Sequence, residues 1–266
     1  MTNFLENAKE TIRIMLIAQL YGWKSMMIYR TQFVFQIFYA AFSPLVTYIF
    51  MSVIYTATHG VPGWSFYQLL FLSSLVGLVN PLLAYMTAPA GLLRGLRVGL
   101  LDVYLIRPYS AFTALFSNFG DTTAAMAILD TMVLTVYALA HINANPYGIV
   151  MFLLLFLSGV LLLAMFTVLL SLLVYRRFRS GGTFQGILNT MFNYGNYPLS
   201  LYGTTATILL TLVLPIGFAT YLPAEVALNR LSPADFVAIF ASTIAISYAF
   251  YRAIKFELRG YTSAMG

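Results

Sequence analysis

The chain has 266 residues, of which 61% are hydrophobic and only 8% charged, with a mean hydropathy of +0.84. Soluble domains carry roughly 45–50% apolar and about 25% charged residues, so a soluble globule, a disordered tail and a collagen-like fibre are all excluded. The net charge of +6, from 14 basic and 8 acidic residues, reads here as a signature of membrane orientation rather than of nucleic-acid binding.

The first residues read as an interfacial helix over 5–23 rather than a signal peptide, because no short apolar core stands between a basic start and a small-residue cleavage site. Glu6, Lys9, Glu10 and Arg13 recur at i, i+3, i+4 and i+7 on one face, while Leu5, Ala8, Ile12, Leu16 and Trp23 take another. Such an elbow lies in the cytoplasmic headgroup layer and feeds the first span; a polar lead-in to that span is the plainer alternative. A bilayer core about 30 Å thick needs about 20 mostly apolar residues per helix, and the first two such runs are 31–55 and 66–89.

In the segment 91–108 that follows, Gly91, Gly95 and Gly99 recur every four residues, so their bare faces align for close approach of another backbone. Arg94, Arg97, Asp102 and Arg107 border that strip, and Pro108 ends it. A short amphipathic element of this kind suits docking of a partner protein. The alternative is an ordinary loop kept inside by its arginines.

The third span, 112–139, holds the acids Asp121 and Asp130, and ionisable residues inside a span are costly and by default functional. Nine residues apart, they fall on opposite faces of a helix and about 13 Å apart along its axis, which excludes the contacting carboxylates of an aspartic protease. Asp121 is either part of a polar pathway or a hydrogen-bonded structural acid. Asp130 is read as approaching the outer half, within reach of water.

Three more spans follow at 148–175, 183–201 and 233–254, with an apolar stretch at 204–228 interrupted by Pro215 and Pro223. Charge decides how that stretch is counted. With six spans and a cytoplasmic N-terminus, the inner face collects Lys9, Arg13, Lys24 and Arg30, then Arg94, Arg97 and Arg107. It also collects Arg176, Arg177 and Arg179, and finally Arg252, Lys255 and Arg259. Thirteen of the fourteen basic residues then lie inside and only Arg230 outside, whereas a seventh span lowers the inner count to eleven. Residues 204–228 are therefore predicted to form a broken or re-entrant hairpin dipping from the outer face, where protein or a water-filled cavity must satisfy its backbone.

Aromatic residues make up 16% of the chain, and Trp23, Tyr55, Trp64, Tyr67, Tyr147 and Tyr221 fall near span ends. They form an interfacial belt that needs no ligand to explain it. The lack of cysteine removes thiolate metal sites and cysteine nucleophiles. His59 and His141 both fall in short outer loops, and neither H-E-x-x-H nor G-x-S-x-G occurs. No catalytic residue or metal ligand is assigned, and a polytopic hydrolase is disfavoured.

In their order, these elements resemble the membrane subunit of ATP-binding-cassette exporters of the second type, which move drugs, lipids and polysaccharides. The likeness covers nearly the whole chain: the elbow, a coupling helix within 91–108, the basic turn Arg176, Arg177 and Arg179 entering the fifth span, and Tyr197-Pro198 through Tyr202 at that span's outer end. It continues through Leu214-Pro215-Ile-Gly-Phe and Tyr221-Leu-Pro223-Ala in the hairpin.

The resemblance implies an all-α integral membrane fold, a single permease domain of six transmembrane helices in the plasma (inner) membrane with both termini cytoplasmic. It implies that the coupling helix sits in a groove of a nucleotide-binding ATPase, with Arg94, Arg97, Asp102 and Arg107 in the docking contact. It further implies a second permease subunit, identical or not, and an outer gate around Pro198, Pro215 and Pro223, although Pro215 is also readable as a mere loop breaker. No G-x-x-x-x-G-K-[ST] loop occurs, so this chain is expected to hold no cofactor, and ATP and magnesium belong to the partner. Its closure would rock the spans between inward and outward openings.

The spans lack an intramembrane basic cluster, so a highly anionic cargo fits poorly and an amphiphile sliding along a Tyr- and Phe-rich surface fits well. Three other classes stay open: an ion-coupled secondary carrier using Asp121 or Asp130, an intramembrane lipid-modifying enzyme, and a scaffold subunit without transport of its own.

Overall fold

The computed structural model describes residues 20–87, 122–177 and 192–259, together with positions 13, 17, 96, 186, 188 and 190. Of the predicted elbow, positions 13, 17 and 20–23 are described, and all are helical. Tyr29, at φ −90° and ψ 72°, interrupts the chain before the first long helix.

Long apolar runs become long helices because a buried or lipid-facing backbone must satisfy its own hydrogen bonds. They are α1 (Arg30–Ala57), α2 (Phe66–Thr87), α3 (Thr122–Ala140) and α4 (Pro146–Arg177). After α4, the described positions from 186 to 195 are helical, within the predicted fifth span. That helix stops ahead of Pro198, which has no N–H to continue it, instead of running on to 201, and the 3-10 turn Leu199–Tyr202 follows. Then come α5 (Gly203–Ile208), a π-helical turn (Leu209–Val213), α6 (Ile216–Ala219), α7 (Tyr221–Ala227) and α8 (Pro233–Arg259). Five of these helices are long and apolar enough to cross a membrane, and no strand occurs among the described residues.

The predicted hairpin is bent: Leu199–Val213 and Ile216–Ala227 meet at 79°. Pro215 disfavours helical geometry at the residue before it, and Leu214 accordingly sits at φ −113° and ψ 86°. Its N–H reaches back five residues to the Leu209 carbonyl at 2.9 Å, the widened turn that proteins often place at functional positions. Pro223 breaks nothing where it stands, in the first turn of α7, where a missing N–H is tolerated. The kink falls instead at Thr220, at φ −129° and ψ −69°.

Three helices start at one end of the bundle with side-chain caps. Ser65 and Gln68 form a reciprocal box ahead of α2, at 3.4 and 3.0 Å. Ser232 and Asp235 do the same ahead of α8, and the Asn145 carboxamide oxygen accepts from Gly148 N–H at the start of α4. Pro146 and Pro233 occupy first helical positions, where their fixed φ is pre-set. The turns 58–65, 141–145 and 228–232 thus share this short-loop end, and Arg252, Lys255 and Arg259 lie toward the opposite end of α8.

The core centres on α2, whose Leu70, Phe71, Leu72 and Leu75 are fully buried. α3 packs along α2, and α8 along α4. The hairpin bend is pressed into this core: a Cβ at Gly159 of α4 would collide with the backbone of Phe218 and Ala219. Gly159 lies about 20 Å along α4 from Pro146 at 1.5 Å per residue. α1 is the least enclosed of the long helices, with Met51 its only buried residue and Phe35, Phe38, Phe42 and Phe50 exposed. In a bilayer such a surface faces lipid or another subunit. Near the far end, Leu96 is helical and 1% exposed, packed with Val168 and Leu172 of α4 and Ile254 of α8.

Candidate functional site

Two polar constellations stand out, one at the short-loop end and one at mid-span. The first grows from the way α7 stops. Asn229 N–H bonds the Val226 carbonyl and Arg230 N–H bonds the Glu225 carbonyl, each at 3.0 Å, which is the Schellman stop. It requires a left-handed residue after the helix, and Asn229 supplies it at φ 56°. Asparagine tolerates that conformation better than most residues. The stop motif aims two neighbouring side chains in different directions.

Arg230 reaches the loop between α1 and α2. Its guanidinium donates to Glu225 Oε1 at 3.1 Å, to Gln68 Oε1 at 2.9 Å and to the Gly63 carbonyl, and it lies 4.3 Å from the centre of the Trp64 ring. Trp64 in turn packs against Tyr221 of α7 at 6.2 Å. Asn229 reaches the loop between α3 and α4, accepting from Asn145 Nδ2 at 3.0 Å. One two-residue turn therefore ties the hairpin to both neighbouring loops.

The Arg230–Glu225 pair is mostly enclosed, with side chains 28% and 13% exposed. Charged hydrogen bonds contribute about 1.5–3 kcal/mol each, and a partly exposed cation over an aromatic ring roughly 1 kcal/mol. Arg230→Ala is expected to lower stability by about 2–3 kcal/mol, read by thermal unfolding in detergent. Arg230→Lys should recover less than half, because a point charge cannot fork to Gly63 and Gln68 together. A variant melting with the parent would show the clasp to be idle.

The second constellation is Asp130. It is 4% exposed and lies about 15 Å along α3 from Ala140, half the thickness of a bilayer core. It is enclosed between α3 and α1, not in reach of water as its place in the sequence suggests. The Ser43 hydroxyl of α1 faces its carboxyl, and Oδ1 has no hydrogen-bond partner among the described residues. An acid at a helix centre costs about 2.5–3.5 kcal/mol on insertion scales.

Of the proline positions, Pro198 caps the 3-10 turn, Pro215 stands at the bend and Pro223 in the first turn of α7. Arg94, Arg97, Asp102, Arg107 and Asp121 lie outside the described residues. Sequence reasoning missed the Arg230 clasp, although its signals were present: the lone basic residue on its side, the Ser-x-x-Gln box whose Gln68 it shares, and an asparagine where α7 ends. His141 is a packing residue, its ring stacked on Tyr67 at 4.6 Å.

A family model described as ABC-2 family transporter protein matches residues 41–265. No curated protein and no solved structure matches the chain.

Proposed function

Because the chain belongs to the ABC-2 family of transporter proteins, and is thus a multi-pass permease subunit of an ABC transporter, we propose that it exports an amphiphilic substrate by alternating access, powered by a separate nucleotide-binding subunit. A second permease subunit completes the path. The short-loop end is the exterior, the end bearing Arg252, Lys255 and Arg259 is cytoplasmic, and the bent hairpin is a re-entrant outer gate.

The observation that carries this reading is the seating of the hairpin bend against Gly159, well along α4, with Pro215 and the π turn supplying a hinge. Broken backbone at such depth requires protein around it, and here the core of α2 and α4 surrounds it. The positive-inside bias gives the same orientation. On the cytoplasmic side, the burial of Leu96 between α4 and α8 supports a docking role for the segment that carries Arg94, Arg97, Asp102 and Arg107.

The test is transport in vesicles containing the chain together with its nucleotide-binding partner. Accumulation of a fluorescent amphiphile that requires ATP and hydrolysis-competent ATPase is the expected result. Transport that ignores ATP and collapses with an uncoupler would replace this reading with the ion-coupled one.

A further inference from the structure

We propose that the seam between α1 and α3 is a recognition site for the ammonium group of an amphiphilic substrate, with Asp130 as its counter-ion. The proposal rests on the export reading and narrows it to a class of cargo.

α1 and α3 meet in parallel, and their polar residues fall one heptad apart on both helices. The Gln36 amide meets Thr123 at 3.4 Å, and Ser43 faces Asp130 seven residues further along each chain. Gln36 Oε1 and Asp130 Oδ1 are the buried side-chain atoms without a hydrogen-bond partner among the described residues, and both are acceptors. A buried polar atom left unpaired is costly and calls for an explanation. The Ser43 hydroxyl and the Thr131 N–H serve the Asp130 carboxyl, and what the seam lacks among the described residues is a cation and a donor to these two remaining oxygens.

No described cationic side chain supplies the missing partner. Glu225, the other enclosed acid described here, is matched by Arg230, whereas every described Lys and Arg of the long helices lies at or near a helix end, far from mid-depth. One heptad beyond Asp130 on the same face of α3, the Tyr137 ring meets Tyr48 of α1 at 6.0 Å. The carboxyl suits an ammonium group through charge-assisted hydrogen bonds, and the two rings, about 10 Å further along the seam, suit the apolar body that carries it. Entry would be sideways past α1, most of whose surface is exposed and whose Gln36 and Ser43 are themselves only half-buried.

The same chemistry is offered by a soluble amine with an alkyl or aryl tail and by an amino-headed lipid. The experiment uses the full chain in phosphatidylcholine nanodiscs, without ATPase, and a dodecylamine bearing a diazirine in its tail, compared with the matching alcohol. Labelled positions are read by mass spectrometry. The amine is expected to label α1 and α3 around Ser43 and Asp130 saturably and to be displaced by unlabelled dodecylamine. Asp130→Asn should weaken this by on the order of ten-fold, Asp130→Glu should largely restore it, and alcohol labelling should not change.

Equal saturable labelling by amine and alcohol in the unaltered chain would overturn the proposal, even if the variants failed to fold. So would an Asp130→Asn protein that labels as the parent does. Discs containing phosphatidylethanolamine identify the source: suppressed labelling supports the lipid amine, and unchanged labelling supports the soluble one. Amine binding without ATP-driven transport would sink the export reading alone. Export without amine preference would sink only this assignment.

Discussion

Replacing Gly159 with alanine is expected to destabilise the protein by about 3 kcal/mol, at the upper end of what overpacking costs, and replacing it with valine to prevent recovery of a monodisperse species. The added Cβ meets the Phe218 carbonyl and the Ala219 Cα, which are backbone atoms and cannot swing aside as a side-chain tip can. Either α4 or the hairpin must move, and both α6 and α7 are packed on α4. Gly186 is the internal control: it is helical and exposed, and a Cβ added there would meet nothing within 4 Å. Gly186→Ala should stabilise by roughly 0.5–1 kcal/mol through helix propensity alone. Thermal unfolding of both variants in one detergent decides the matter. Coincident melting of Gly159→Ala and the parent would mean that the hairpin does not seat there.

Charge reversal of Arg94 and Arg97 together is expected to abolish ATP-dependent transport while leaving the permease folded. Two charge-assisted contacts at about 1.5–3 kcal/mol each amount to a weakening of ATPase binding by about 100-fold or more. Leu96 between them stays in place, buried against Val168, Leu172 and Ile254, so the segment keeps its anchor and loses only its charges. Binding of the ATPase to detergent-solubilised permease measures the first effect, and vesicle transport the second. A double variant that bound and stimulated its ATPase normally would remove these arginines from the docking surface.

The spans were legible because helix length and apolarity are set by the bilayer itself. Residues 31–55 and 66–89 anticipate α1 and α2 closely, and 148–175 falls inside α4. The break at Pro215 was legible for the same kind of reason, since a missing N–H acts locally whatever surrounds it. The helix starts at Ser65, Asn145 and Ser232 carried local signals as well.

What the sequence hid is what depends on a partner distant along the chain. Arg230 stands in the charge tally as an exception, and nothing in its neighbours announces Gln68 or Gly63, more than 160 residues away. The enclosure of Asp130 was not legible, because it depends on α1 packing against α3 with Ser43 facing the carboxyl. The Gly159 contact had no sequence signal beyond a glycine in an apolar helix.

α4 runs for 32 residues with no proline after its first, a length of about 48 Å, and it is touched by Leu96 near one end and by the hairpin backbone at Gly159. A continuous helix without internal proline is stiff along its axis. In the proposed cycle it would act as a connecting rod, turning a push delivered beside Leu96 into a shift of Phe218 in the same stroke. Opening at the exterior would then keep time with the motor, with no separate trigger needed at the far face.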